Sequence, residues 1–526
     1  MWFLSEKINN IIYFGILIFS ALLLVWGNLF ITLSAYFLLA FWILEGNYKH
    51  KLRQLISSKP ALFFLAIFSV ILIWSLSQIT HEVARKELWQ TTPLFVYAFV
   101  IGSKKPLSQV QFKSILLVFL FSITVNSIFN YLQFHTFYND YADIRKVSFF
   151  MSYIRLALYS ILGIVICGYY LYFSPNQIHS KKQGLILLGC FIWLIYFVLY
   201  LGSITGYILL FTLLGITALT YTFKHKEKYI KYASLALIII AFSYVCTVMY
   251  EELQLFIHPD TIEVSEIDTH TQLGNSYKPF SKQGIIENGH WVNLYMCKKE
   301  LKKNWHTYSS IPLHKHDKKN QPIISTLIRY MTSKNLRKDS SGLAQLTKKD
   351  IQNIENGCTN YRFTNNNSFR NRIYETIWEF HYYLQGNSPA GHTVTQRFEF
   401  IKCAFEVIQK HPVWGTGPAH AITELHAQYP QQTYHLPQQY WHKPHNQFIL
   451  FVLLYGIVGA SIIFISLTAL FYLSFRSQHT LAISWAIITI IAFLNEDMLD
   501  SINGLVFFSF FGCLFLCGNK SITQKK

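Results

Sequence analysis

Residues 446 to 473 contain no charged side chain. A helix needs about 20 mostly apolar residues to cross the hydrocarbon core of a bilayer, so a run of this kind belongs inside a membrane. Comparable runs lie near residues 8–26, 29–44, 60–77, 89–101, 115–132, 153–173, 184–201, 206–222, 233–249, 480–494 and 503–518. In lipid the backbone must satisfy its own polar groups, and runs of this length do so as helices. The expectation is an all-α polytopic membrane protein with about twelve transmembrane helices. A chain that is 52% hydrophobic and only 14% charged fits that class and excludes an ordinary soluble domain. Lys7 precedes the first apolar block as it would in a secretory signal, but LLLVWGNLF offers no small-x-small cleavage site, so the block reads as a retained helix.

Lysine and arginine in the short loops set orientation. The loops EGNYKHKLRQLISSK, GSKKPLSQVQFKS, SPNQIHSKKQ, KHKEKYIKY and SFRSQH and the tail GNKSITQKK are basic, whereas WGN, SQITHEVARKELWQTT, GSITG and NEDMLDSIN are neutral, balanced or acidic. This places both termini in the cytoplasm and gives three regions: helices one to nine over 1–249, a large, mainly helical periplasmic domain over 250–445 between helices nine and ten, and helices ten to twelve with a short tail over 446–526. The net charge of +18 is then largely the inside-positive bias, and no nucleic-acid partner is needed to explain it. None of the eight cysteines forms a CxxC pair, which argues against a zinc or redox centre. Cys297 and Cys358 fall in the outer segment, where a disulfide would persist in an oxidising compartment.

Two amphipathic helices stand out in that segment. In SFRNRIYETIWEFHYYLQG, Ile373, Ile377, Phe380 and Leu384 share a face, and in TVTQRFEFIKCAFEVIQKHPVWGTGP, Phe398, Ile401, Phe405 and Ile408 do the same. Arg397 sits on the first turn of the second.

The polar groups near the outer helix ends are the candidates for chemistry. His442, His445 and Asn446 precede the tenth span, at a helix N-terminus whose unpaired N–H groups suit an anion; His445 reads either as a neutral base or as an interfacial histidine beside an N-cap, Asn446. Arg155 lies just inside the sixth span, where it must snorkel or pair with something anionic. Arg397 is either an exposed helix arginine or a second planar fork for phosphate. Glu496, Asp497 and Asp500 either orient a histidine or a sugar, or are charges of an outer loop. No metal-ligand spacing is present.

At these residues the chain resembles the bacterial O-antigen ligases, in the superfamily that also contains O-antigen polymerases and protein O-oligosaccharyltransferases. The ligase signature reads here as His445-Asn446, QFILFVLLY, Gly456, IV, Gly459, and QRFEFIKCAFEVIQKHPVWGTGP resembles the superfamily's Arg-helix-Pro-x-x-Gly-x-Gly element, with Arg397, Pro412, Gly415 and Gly417. Many members carry a further arginine in a mid-chain Ser-Arg stretch; this chain has Ile204 there, in LGSITGYI, and Arg155 is read as taking over the charge, as in Bacteroidetes-type relatives.

The resemblance implies transfer of a glycan from undecaprenyl diphosphate to lipid A-core at the periplasmic face of the inner membrane, with inversion and without metal or other cofactor. His445 would be the base and Arg397 the catalytic arginine. Arg155, His442, Asn446, Glu496 and Asp497 would bind the diphosphate or glycan. Membrane lipids surround the protein; another glycan or a protein is the alternative acceptor, as in the polymerase and oligosaccharyltransferase readings. A flippase of lipid-linked sugar is the rival from another class, and it calls for ionisable groups along a path through the bilayer.

Overall fold

The computed structural model describes residues 5–519 except 138–143, 179, 225–227, 261–266, 283, 366–368, 433 and 435. The basic tail after Asn519 and the centre of KHKEKYIKY lie outside the described residues. The chain runs through α1 (Glu6–Leu23), α2 (Asn28–Glu45), α3 (Tyr48–Ser57), α4 (Lys59–Ser77), α5 (Glu82–Gly102), α6 (Gln109–Phe137), α7 (Tyr153–Gly168), α8 (Lys181–Leu201), α9 (Ile204–Lys224) and α10 (Lys228–Ile257). A two-stranded hairpin, β1 (Ile286–Glu287) and β2 (His290–Trp291), then precedes α11 (Lys298–Asn304), α12 (Ile323–Ser333), α13 (Ser340–Leu343), α14 (Lys348–Glu355) and α15 (Phe369–Leu384). The chain closes with α16 (Gln396–Lys410), α17 (Gly417–Gln428), α18 (Gln447–Arg476), α19 (Thr480–Asn495), α20 (Ile502–Val506) and α21 (Gly512–Leu516).

Among the described residues, eight helices are long and apolar enough to cross a membrane, and three shorter apolar stretches, Ile204–Thr217, Thr480–Asn495 and Ile502–Leu516, accompany them. The helix over the fourth expected span, α5, starts at Glu82 and carries Arg85, Lys86 and Glu87 in its first turns, so it is not one of the eight. Caps mark several starts: Ser5 accepts from Ile8 N, Ser152 from Arg155 N and Ser180 from Gln183 N. The basic stretch after α2, expected as a loop, is the helix α3. Its Lys51 is buried because Nζ reaches Glu45 at 2.9 Å and the Trp42 carbonyl.

The chain divides into two units. The first holds Met1–Thr136, Arg145–Ile216 and Gln396–Lys526; the second holds Phe137–Ile144 and Thr217–Thr395. The segment 250–445 is therefore shared: 250–395 lies in the second unit, whereas α16, α17 and the stretch that leads to His445 lie in the first. In the first unit α4 packs on α5 and α18, α7 packs on α8, and α16 packs on α17 and α18. Trp485 stacks on Phe508, with ring centroids 5.6 Å apart, and Phe64 closes on both.

In the second unit the hairpin pairs Ile286 with Trp291 and Glu287 with His290. Phe256 of α10, Trp291 and Leu294 of the hairpin region, and Tyr374 and Trp378 of α15 form one core; Leu301, Trp305, Leu327 and Ile354 belong to another. Cys297 and Cys358 are both free thiols, not a disulfide; Cys358 donates instead to the Asn360 carbonyl at 3.1 Å.

Both amphipathic helices form, but each turns a different face inward from the stripe read in the sequence. On α15 the buried residues are Tyr374, Trp378 and Glu379, while Leu384 is 81% exposed. On α16 they are Glu399, Phe400, Cys403, Ala404 and Val407, while Phe398 and Phe405 are exposed. The physical reason is that both helices carry two apolar stripes at a spacing of three to four, and packing partners choose between them. On α16 the choice puts Phe400 against the His442 and His445 rings, at 5.8 and 5.7 Å between centroids.

Candidate active site

The site begins with a break in a membrane helix. Gly456 interrupts α18 with a φ of 59° that side chains resist, and three backbone groups around the break find partners in the turn after α16. Ile457 N donates to the Pro412 carbonyl at 2.9 Å, Val458 N to the Val413 carbonyl at 3.2 Å, and Thr416 N to the Leu453 carbonyl at 2.9 Å. A Cβ on Gly456 would overlap the Val413 carbonyl and Gly415 N, and one on Gly415 would overlap Gly456 N in return. Gly415 and Gly456, one from each sequence motif, thus meet in one backbone-to-backbone contact, which locks α16 to α18. Gln78, just past α4, holds the same turn by donating to the Thr416 carbonyl at 3.0 Å and accepting from Ala419 N at 2.9 Å.

Gly456→Ala is expected to add about 1–3 kcal/mol of backbone strain before the overlap with Val413 is counted. A lower midpoint of thermal unfolding in detergent, together with weakened activity, is the expected result.

That lock brings Arg397 at the start of α16 and His445 at the start of α18 to the segment after α19. The backbone N–H groups of His445 and Asn446 each donate to a different oxygen of Asp497, both at 3.0 Å. Asn446 is the N-cap, its side chain accepting from Phe448 N and Ile449 N at 3.1 Å, while its amide donates to the Leu494 carbonyl at 3.1 Å. His445 sits at a φ of 49°, a conformation that costs a non-glycine residue about 1–3 kcal/mol. The two charge-assisted bonds to Asp497, each worth about 1.5–3 kcal/mol, are enough to hold it.

Glu496 is the hub. Its side chain is 4% exposed; Oε1 accepts from Arg397 Nη2 at 2.8 Å, and Oε2 stands 3.5 Å from Arg155 Nη1 and 3.7 Å from His445 Nδ1. Arg397 also donates to the Asn495 carbonyl. Arg155, on the first turn of α7, donates to Ser501 Oγ, Ser152 Oγ and the Asp497 carbonyl, each at 3.1 Å. His442 lies beside His445, with ring centroids 6.0 Å apart, and its carbonyl accepts from the Tyr429 hydroxyl. The structure thus gathers Arg155, Arg397, His445, Asn446, Glu496 and Asp497 in one cluster, with the His442 ring beside His445 and Phe400 packed against both.

Burial pulls the two acidic neighbours upward, and their partners then separate them. Burial raises the Glu496 carboxyl, but His445, Arg397 and Arg155 outweigh it and hold the group below its ordinary value. At Asp497 burial dominates, Asp500 and Glu496 add to it, and the carboxyl is pushed up to about 6. Burial also lowers His442, with His445 and His426 adding. Because the Asp497 value is raised in the folded state, its contribution to stability is greatest below 3.8 and is lost as pH rises through about 6. Activity is expected to run the other way. Below about 6 Asp497 takes a proton and can no longer accept fully from both backbone N–H groups, so the rate falls on an acid limb that unfolding does not explain. Asp497→Asn is expected to be slow and to lose the part of this limb that Asp497 sets, as pH–rate profiles of the two proteins would show.

Two charges near the site escaped the sequence reading. Lys443 pairs with Asp500, and Glu87 of α5 belongs to the same neighbourhood, its carboxyl pushed up to about 7 chiefly by burial. Neither residue falls in a motif that would mark it. Among the described residues no group of three or more His, Cys, Asp or Glu side chains is placed to hold a metal ion.

Fold and site together define a multi-pass helical membrane protein with a histidine–arginine–carboxylate centre at the N-terminal end of one apolar helix. Residues 361–464, which contain Arg397, Gly415, His445 and Gly456, match the family model described as O-antigen ligase. Members of that family are glycosyltransferase-like O-antigen ligases or polymerases, whose partners are a lipid-linked glycan and an acceptor. A search of curated proteins finds no match to the chain.

Proposed function

We propose that the chain is an O-antigen ligase: a metal-independent, inverting glycosyltransferase that moves a glycan from undecaprenyl diphosphate to lipid A-core at the periplasmic face of the bacterial inner membrane. Twelve spans, with both termini cytoplasmic, put His445 on that face. The observation that carries the reading is the cluster at Glu496, where one base and two guanidinium groups from three helices meet at the head of α18.

In this mechanism His445 takes the proton of an acceptor hydroxyl as the oxygen attacks the anomeric carbon, which requires the imidazole within hydrogen-bond reach of that hydroxyl. The bond from the anomeric carbon to the phosphate oxygen breaks on the opposite face, so the sugar inverts. Arg397 offsets the charge that grows on the departing diphosphate, and stabilisation placed where charge develops is worth most in a site shielded from water. Arg155 contributes positive charge from α7. Its place beside the family's missing arginine is supported by packing: a Cβ on Gly206, two residues after Ile204, would lie 3.4 Å from Ala157, two residues after Arg155.

Reconstitution tests the function. The purified protein in liposomes, given undecaprenyl diphosphate-linked glycan, is expected to label lipid A-core. Labelling of a second glycan or of a protein instead would replace ligase with polymerase or oligosaccharyltransferase, and no transfer to any acceptor would overturn the enzymatic reading.

A further inference from the structure

The guanidinium groups assigned to the diphosphate already hold an anion. Glu496 is almost wholly buried, with Arg397 on one carboxylate oxygen at 2.8 Å and Arg155 near the other at 3.5 Å. Arginine forks pair with carboxylates and phosphates through the same geometry, so a diphosphate seated on Arg397 competes directly with Glu496. The same carboxylate faces a second group. His445 Nδ1 is buried and has no hydrogen-bond partner among the described residues. Two carboxylate oxygens stand just beyond hydrogen-bond distance, Glu496 Oε2 at 3.7 Å and Asp497 Oδ2 at 3.8 Å. Asp497 is already committed, with both oxygens accepting from backbone N–H groups. Glu496 is the carboxylate that can change partners, and a shift of under about 1 Å brings Oε2 within hydrogen-bond range of Nδ1.

We propose that Glu496 is an exchangeable counter-anion that couples donor binding to the base: it pairs with Arg397 and Arg155 while the donor is absent, and with His445 once the donor's diphosphate has taken the arginine. This rests on the functional reading above. Freed from Arg397, Glu496 accepts from Nδ1–H and fixes the tautomer that leaves the Nε2 lone pair for the acceptor hydroxyl. The proton of that hydroxyl moves to Nε2, the acceptor oxygen bonds to the anomeric carbon, and the electron pair of the broken carbon–oxygen bond leaves with the diphosphate. The imidazolium so formed is offset by the Glu496 carboxylate and later returns its proton to solvent. Glu496 is thus a positioning residue, and the mechanism is ordered, donor before acceptor.

The test uses the full-length protein in nanodiscs with undecaprenyl diphosphate as the probe. Glu496→Gln removes the competing charge, so it is expected to bind the probe about tenfold more tightly. With glycan-bearing donor its kcat is expected to fall about 100-fold, because the glutamine cannot offset the imidazolium. In the wild-type protein, the probe is expected to move the ¹⁵N resonance of His445 Nδ1 toward a hydrogen-bonded position, a readout that does not depend on any variant folding. Weaker probe binding by Glu496→Gln, an unchanged kcat, or a His445 resonance that ignores the probe would each overturn the exchange. Probe binding that is the same in wild type and Arg397→Ala would instead overturn the diphosphate site itself.

Discussion

Replacing His445 with alanine is expected to abolish glycan transfer while leaving membrane insertion and folding intact. A positioned general base contributes about 10²–10⁴-fold, so the residual rate should lie at or below the detection limit of a gel-based transfer assay. The fold should tolerate the change because the interactions that secure the head of α18 belong to the backbone and to Asn446: Asp497 accepts from two N–H groups, and the Asn446 side chain caps the helix. The imidazole itself is 30% exposed, and its Nδ1 makes no hydrogen bond among the described residues, so little packing or polar pairing is lost. Comparing the transfer rate with the amount of folded protein by size-exclusion profile separates the two outcomes. Full activity in the alanine protein would remove the base assignment.

The second large effect is expected at Arg397. Loss of one group that stabilises developing charge costs about 10²–10³-fold in rate, and Arg397→Ala should show a fall of this order in kcat. Removing one partner of a buried ion pair also costs stability, about 3–5 kcal/mol when the other charge is left alone. Here Glu496 would keep Arg155 and His445 nearby, at 3.5 and 3.7 Å, so the cost should be at the low end. Arg397→Lys divides the two contributions. A lysine retains the charge beside Glu496 but loses the planar fork that reaches Glu496 and the Asn495 carbonyl together. It should therefore recover stability more than activity, and denaturation curves measured beside kcat would show the split.

How far the sequence could be read depended on the range of the interactions involved. Apolar runs and loop charges act locally and against a fixed solvent, so the helical, multi-span class was legible without knowing any contact. The motif residues were legible as well, but their purpose was not. Gly415 and Gly456 are 41 positions apart in sequence numbering and share one backbone contact, which neither stretch reveals alone. Arg155 stood out because a charge inside an apolar helix needs a partner; that the partners are Ser152, Ser501, the Asp497 carbonyl and Glu496 depends on how α7 meets the segment after α19. The acidic stretch NEDMLDSIN could be read as ordinary loop charge, yet Glu496 and Asp497 are 3% and 4% exposed and tie the site together. The inward faces of α15 and α16 were misread because two apolar stripes compete on each, and no local rule decides between Phe398 and Phe400. Glu87 left no signal in the sequence, because its neighbours Lys443 and Tyr455 come from more than 350 residues away.

The most direct test of the central claim, that the cluster around Glu496 transfers glycan from a diphosphate carrier with His445 as base, is the stoichiometry of release. In liposomes supplied with undecaprenyl diphosphate-linked glycan, lipid A-core and a chelator, the wild-type protein should free one undecaprenyl diphosphate for each glycan joined, and His445→Ala should free none. Equal release by the two proteins, or glycan joined without release of the carrier, would contradict the account.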